Sequence, residues 1–306
     1  MNNVQKYLKA VIRIGLGLFF IASAILKLLS IEHFELYIYS FNLFSLTLCG
    51  LVARTVIACE LFVGILLIIK VKYKFAWWLT LLMLIGFSLL LVYVILFRDD
   101  SNCHCMGELV KLKPSWSLLK NLVGIILLMF VRNEEDYRFR FKTLALVLTF
   151  AAALVPSFIL FPLDDVYNLF AKSGNQDFDE TAFNALMADS TMQEIRFDDG
   201  NYIVGVVSSG CQYCRTGGLK MSEIVKHNQL DTSRVIYFIW GDSTSIRQFQ
   251  TETQSESFRF ITVSPIQAIR VVNGHFPTYL LISDNDVIKT ADLRHLTEKI
   301  ISEHLK

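Results

Sequence analysis

The chain has no nucleotide-binding glycine motif, no Ser–His–Asp set and no EF-hand loop. No motif therefore suggests phosphate-cradling, hydrolytic or calcium-sensing chemistry. It has almost no charge imbalance: the formal net charge is +1 over 306 residues, so neither nucleic acid nor an acidic partner is indicated. No A-x-A-like cleavage site follows a short apolar core near the start, and the first apolar stretch is expected to be retained. The segment "SIEHFELYIYSFN" holds no Lys or Arg, and no cysteine follows Cys214.

What is present in excess is apolar surface. Hydrophobic residues make up 53% of the chain and the mean hydropathy is +0.45, against roughly 45–50% in soluble domains. The excess lies in the first half. A spanning helix needs about 20 apolar residues, and five stretches qualify: 7–29, 43–69, 74–97, 115–131 and 142–162. Lys6, Lys9 and Arg13, then Lys70, Lys72 and Lys74, then Arg132, Arg138, Arg140 and Lys142 fall on one side. The first connection is uncharged by Lys or Arg, and the third mixes Arg98, Lys111 and Lys113 with Asp99, Asp100 and Glu108. By the positive-inside rule the N-terminus is cytoplasmic, and five spans put the second half outside. In a bacterium this is a multi-pass inner-membrane protein with a periplasmic C-terminal domain. Cys103, Cys105, Cys211 and Cys214 then share an oxidising compartment.

The second half reads as α/β. Residues 163–185 are polar and linker-like. "NYIVGVVSS", "RVIYFIW", "FRFITV", "FPTYLLIS" and "DVIKTA" read as strands, the last two joined by a turn at Asp284–Asp286. "GGLKMSEIVKHNQL", "STSIRQFQTE" and "ADLRHLTEKIISEHLK" read as helices. Cys211-Gln212-Tyr213-Cys214 falls between a strand and a helix. The helix N-terminus favours a thiolate at Cys211, and Cys214, one turn in, can resolve a mixed disulfide. Zinc would need two further ligands, which the scattered His227, His275, His295 and His304 do not offer at suitable spacing. A structural disulfide is the other alternative. Together with "GHFPTYL" at 274–280, this pattern resembles thioredoxin-like domains. The resemblance implies that Cys211 attacks, Cys214 resolves, and Pro277 is a cis proline beside them. Gly210 stands where many thioredoxins have Trp.

The membrane half carries charges that are costly in lipid and usually paired or functional. Arg13 lies about 9 Å from the cytoplasmic end of its helix and Glu60 about 13 Å from that of its own. An Arg13–Glu60 ion pair is expected, structural in role or part of a proton- or quinone-related site, while Arg54 also lies within a span and Lys27 snorkels to the outer end. Cys49 and Cys59 read as small apolar residues, with Cys49 within reach of the loop. That loop, "NCHCMGE" at 102–108, has two cysteines whose disulfide would be tightly constrained; metal binding through His104 is an alternative.

Arg13, Gly17 and Lys27, Glu60-x-x-x-Gly64 and the loop Cys-x-Cys-x-Gly resemble the MauE/DoxX-type redox-associated membrane proteins, over about residues 5–131. Met106 replaces the usual Phe before the loop glycine. The resemblance implies membrane-coupled thiol–disulfide chemistry, which in MauE proteins serves methylamine utilisation. The expected architecture is a four-helix membrane domain (1–135), a fifth helix and linker (136–184) and a thioredoxin-like domain (185–306). The expected function is a thiol–disulfide oxidoreductase with catalytic Cys211, Cys214, Pro277, Cys103 and Cys105. Its partners are the lipid bilayer and extracytoplasmic thiol or disulfide proteins, not nucleic acid. Arg13 and Glu60 are candidate residues for a quinone; no metal is expected. The competing expectation is a membrane-anchored assembly factor or chaperone with an inert anchor.

Overall fold

The computed structural model describes residues 3–98, 100, 102–108, 110, 112–134, 136, 141–170, 177–189, 192, 197 and 200–306. Asp99 and Lys111 of the third connection, Arg138 and Arg140 of the fourth, and positions 171–176 of the linker lie outside the described residues. The chain divides into two compact units, Met1–Ile38 with Leu48–Pro162, and Tyr39–Thr47 with Leu163–Lys306.

The first unit is helical: α1 (Asn3–Leu28), α2 (Ile31–Tyr39), α3 (Leu46–Ile69), α4 (Tyr73–Phe97), α5 (Pro114–Phe130) and α6 (Lys142–Leu154), the last continuing as a π-helical turn, Val155–Leu160. Among the described residues four helices are long and apolar enough to cross a membrane: α1, α3, α4, and α6 with its π-helical end. The fourth expected span, α5, is apolar but only 17 residues long. α2 was not anticipated from sequence. Ile31, Phe34 and Ile38 recur at helical spacing and pack on the bundle core, a signal hidden by the shortness of the segment.

In lipid, helices gain little from burying apolar side chains against one another, so close backbone approach matters more. α1 and α3 meet at two glycines. A Cβ on Gly17 would lie 2.7 Å from the Gly64 carbonyl oxygen, and one on Gly64 would lie 2.8 Å from that of Gly17. This contact fixes the antiparallel register of the two helices. Outward positions such as Leu82, Leu96 and Ile126 are exposed, as a lipid-facing surface requires. Polar groups inside are satisfied locally: Tyr73 Oη donates to the Val131 carbonyl and Trp77 Nε1 to that of Leu128, both at 2.8 Å, tying α4 to the end of α5. Arg54 is buried; it pairs with Glu35 and donates to the carbonyls of Phe161 (2.7 Å), Gly50 and Pro162 (both 3.0 Å).

The second unit holds a five-stranded mixed sheet in the order β3-β2-β1-β4-β5. β1 (Asn201–Ser208) is central, parallel to β2 (Val235–Trp240) and antiparallel to β4 (Thr278–Ser283). β3 (Arg259–Thr262) and β5 (Asp286–Ala291) complete the edges. The β4–β5 turn has positive φ at Asp284 (51°) and Asn285 (71°), the pattern of a two-residue hairpin. The buried run of β1, on which both neighbours pair, explains its unbroken apolar sequence. The helices are α7 (Asp164–Phe170), α8 (Glu180–Met187), α9 (Gln212–His227), α10 (Ser243–Thr253), α11 (Pro265–Val271) and α12 (Glu298–Leu305).

Three local expectations need adjustment. Part of the segment read as linker is helical, because Asp179 caps α8 by accepting the Ala182 N–H and Phe183 and Leu186 enter the sheet core. α11 went unread, although Ser264 and Gln267 form a capping box around Pro265. The closing helix starts at Glu298 rather than at Ala291, since Asp292 turns the chain by accepting the Arg294 and His295 N–H groups and Thr297 is the true N-cap.

The glycine contact makes a measurable prediction. Gly64→Leu is expected to lower the thermal stability of the detergent-solubilised protein by about 1–3 kcal/mol or more. Gly15→Leu, where an added Cβ meets nothing within 4 Å, is expected to leave it unchanged.

Candidate functional site: two dithiols

In the second unit the strand–cysteine–helix junction is built as the sequence suggests. Cys211 is the N-cap of α9, and its Sγ accepts the Cys214 N–H at 3.3 Å. Cys211 is half-buried, whereas Cys214 is wholly buried and its Sγ accepts the Ser208 N–H at 3.5 Å. The Cys211 thiol is drawn down to about 6, first because the Cys214 thiol donates to its thiolate. The N–H groups of Cys214 and Tyr213 and the charge of Arg215 add to this. Cys214 is pushed far up by the same shared hydrogen bond and by burial. Arg215 is held in place by the Ser209 carbonyl (3.1 Å) and Glu252 (2.8 Å). The Phe276–Pro277 peptide is cis, as anticipated, and opens β4. Such a pair presents a thiol drawn toward its thiolate at the surface and a protonated thiol beneath it.

The first unit carries a second dithiol in the loop before α5. Cys103 is buried, 2% exposed, with its Sγ 3.0 Å from Ser117 Oγ in the first turn of α5 and accepting the Cys105 N–H at 3.4 Å. The Asn102 side chain gathers the loop by accepting the N–H groups of His104 and Leu112, both at 3.2 Å. Gly107, at φ +68°, presses against α1; a Cβ there would sit 2.4 Å from the Leu26 carbonyl oxygen. Ser30 Oγ accepts the Glu108 N–H at 2.9 Å, and Ser23 Oγ donates to the Cys105 carbonyl at 3.2 Å. The loop is thus seated on the end of α1. Cys103 is drawn down to about 6, first by the hydrogen bond from the Cys105 thiol and then by Ser117, the Cys105 N–H and Lys120. Cys105 is pushed up by the same bond and by burial. The His104 ring lies tilted against Tyr37 (centroids 4.7 Å apart), with Nδ1 3.2 Å from Glu108.

The charges inside the bundle are paired differently from expectation. Arg13 does not meet Glu60. It pairs with Glu134 at 3.3 Å and donates to the carbonyls of Leu67 and Ile68. Glu60 pairs instead with Lys27, at 2.6 Å, and both side chains are 3% exposed. The reason is register. With Gly17 opposite Gly64, Arg13 faces position 68, about 12 Å along the axis from Glu60. Lys27 does not snorkel outward; helical side chains lean toward the N-terminus of their helix, and Lys27 reaches back to Ser23 (2.9 Å) and Glu60. Ser23, Ser117 and Lys120 were not singled out from sequence. Their only signal there was a polar side chain in an apolar helix. Cys49 is buried in α3, and Cys59 stands half-buried beside Glu60.

With both dithiols described, comparison with known proteins bears on the first. Residues 5–132 match the family described as methylamine utilisation protein MauE. The MauE match takes in α1–α5 and the whole Cys103–Gly107 loop and ends before the second dithiol. Protein TlpB of Flavobacterium psychrophilum is 28% identical over 321 residues, an alignment covering 85% of this chain and 84% of that protein. No solved structure matches the chain.

The thiol environments predict a pH profile. In a reduced chain, the alkylation rate of Cys211 is expected to rise with pH and reach half its maximum near pH 6, while Cys214 stays unmodified at neutral pH. Removing the donated proton with Cys214→Ala destabilises the thiolate, so the Cys211 midpoint moves up toward the ordinary cysteine value of about 8.5. Mass spectrometry of the alkylated peptides reads both numbers.

Proposed function

We propose that this chain is a membrane-bound thiol–disulfide oxidoreductase with two dithiols in series. Cys211 and Cys214 exchange with extracytoplasmic protein clients, and Cys103 and Cys105 exchange with Cys211 and Cys214. The observation that carries this reading is that both dithiols are built alike: the first sulfur accepts the backbone N–H of the second cysteine, at 3.3 Å for Cys211 and 3.4 Å for Cys103, and in each pair the first thiol is drawn down and the second pushed up. Two such pairs in a chain with four membrane-length helices are suited to handing electrons onward. The MauE match to the loop-bearing half and the likeness to TlpB over most of the chain support a role in membrane-associated thiol–disulfide redox or maturation.

In this reading a client dithiol reduces the Cys211–Cys214 disulfide, the resulting dithiol reduces the loop disulfide, and the loop passes two electrons to a membrane carrier. A quinone is the class of carrier that fits, as a lipid-soluble two-electron, two-proton acceptor. Of the two residues considered for it, Arg13 is committed to Glu134 and to α3 carbonyls, whereas Glu60 stands beside the loop network. Joining both pairs in one chain raises their effective concentration to the mM range. The Lys and Arg distribution supports a cytoplasmic N-terminus and a periplasmic second domain in a bacterial inner membrane. The MauE likeness extends, for this chain, to maturation of extracytoplasmic disulfide proteins, as in methylamine utilisation.

Trapping tests the series arrangement. In membranes carrying Cys214→Ser, a mixed disulfide on Cys211 cannot resolve. A Cys211 adduct to Cys103 or Cys105, mapped by mass spectrometry, is the expected result. Adducts only to other proteins, with both loop cysteines free, would leave a tethered thioredoxin-like domain on an inert anchor.

A further inference from the structure

Resting on the reading of Cys103 and Cys105 as a redox pair, the buried charges next to them acquire a use. Three helices contribute: Ser23 and Lys27 from α1, Glu60 from α3, Ser117 and Lys120 from α5. Lys27 Nζ donates to Glu60 Oε1 (2.6 Å) and Ser23 Oγ (2.9 Å), and Ser23 Oγ in turn donates to the Cys105 carbonyl (3.2 Å) and lies 3.5 Å from Glu60 Oε1. Lys27 Nζ also lies 5.6 Å from the ring centroids of both Phe34 and Phe87, so its charge is enclosed by aromatic faces as well as by Glu60. Lys120 is half-buried against the Phe19 ring at 5.0 Å.

A structural ion pair would be expected to use both carboxylate oxygens. Glu60 does not. Its Oε2 is buried and has no hydrogen-bond partner among the described residues, in a side chain only 3% exposed. An unpartnered, buried carboxylate oxygen, in a side chain joined through Ser23 to the Cys105 backbone carbonyl, is an acceptor open to a proton. The charged and titratable groups facing it are Lys27, Lys120 and its chain neighbour Cys59. Those facing Cys105 are Cys103, Lys27, Lys120 and Tyr37.

We propose that Glu60 is the proton acceptor for Cys105 when the loop pair closes to a disulfide, with Lys27 and Ser23 as its positioning residues. The Cys103 thiolate attacks an incoming disulfide R–S–S–R, forming Cys103–S–S–R and releasing RS⁻. Cys105 gives up its proton to the Glu60 carboxylate, which Ser23 holds beside the Cys105 backbone. The Cys105 thiolate then attacks Cys103 Sγ, forming the Cys103–Cys105 disulfide and releasing the second RS⁻. Two electrons leave the loop for R–S–S–R, and the proton ends on Glu60. When the Cys211–Cys214 dithiol opens the loop disulfide, as in the relay proposed above, these steps run in reverse and Glu60 returns the proton to Cys105.

An aromatic disulfide whose released thiolate is coloured separates the two steps. The full chain carrying Cys49→Ser, Cys59→Ser, Cys211→Ser and Cys214→Ser, which leaves Cys103 and Cys105 as its two thiols, is reduced beforehand in detergent and mixed with 5,5′-dithiobis(2-nitrobenzoate). The first equivalent reports attack by Cys103 and the second reports closure by Cys105. Glu60→Gln is expected to leave the first phase within about twofold and to slow the second at least tenfold, with the loss shrinking as pH rises and solvent takes over as base. Glu60→Asp, which keeps a carboxylate, is expected to restore much of the second phase. Equal second phases in the parent chain and Glu60→Gln would overturn the assignment. So would equal slowing of both phases with no rescue by Glu60→Asp, which is the mark of a purely structural pair. A parent chain that releases one equivalent and never closes would instead sink the redox reading of the loop itself, and this proposal with it.

Discussion

The membrane unit depends on the backbone contact between Gly17 and Gly64. Because neither residue has a side chain, α1 and α3 approach until carbonyl oxygens set the distance, and their axial register is fixed. That register decides which buried charges meet. Lys27 comes to Glu60 rather than Arg13, and the pair forms beside the end of α1 on which the cysteine loop is seated. The same register sends Arg13 to Glu134 and to the carbonyls near the end of α3. Two glycines thus separate a fastening at one end of the bundle from a charged network at the other.

A buried ion pair is a poor source of net stability. The cost of desolvating both charges consumes most of the attraction, and removing one partner costs about 3–5 kcal/mol because the other is left stranded. Arg54 shows what a structural arrangement in this unit looks like: its donors are taken by Glu35 and by three backbone carbonyls. Glu60 keeps one oxygen unused. The contrast between these two sites within the same helix is the physical ground for giving them different roles.

The two dithiols reach the same polarity by different construction. In the second unit a strand delivers Cys211 to the N-cap of α9, and the free N–H groups of the helix turn toward its sulfur. In the first unit there is no such helix start at Cys103. A tight loop folds the Cys105 N–H back onto the sulfur, and Ser117 and Lys120 reach in from α5. In both, the largest single influence on the low thiol is the proton of its own partner. The property therefore belongs to each pair and not to one cysteine.

Much of this was legible without coordinates. Runs of apolar residues mark the membrane-length helices, because lipid admits only segments that satisfy their own backbone. Alternating strands and helices around Cys211, Cys214 and Pro277 mark the α/β domain, because strand and helix periods differ and the cysteines fall at their junction. Both cysteine pairs stand out by their spacing, and the strand–helix context with Pro277 narrows the reading of the second. What sequence could not supply was long-range pairing. Helical spacing says which residues share a face, but not the register of two helices 40 residues apart, so the partners of Arg13, Lys27 and Glu60 were assigned only by the crossing at Gly17 and Gly64. Short elements such as α2, α8 and α11 were missed for a related reason: each is too brief to announce a period and is held by the core it packs against. Composition and spacing marked the apolar helices and the two cysteine pairs; the tertiary structure decided which neighbours surround each thiol, because electrostatic and hydrogen-bond effects act through space over a few ångströms and not along the chain.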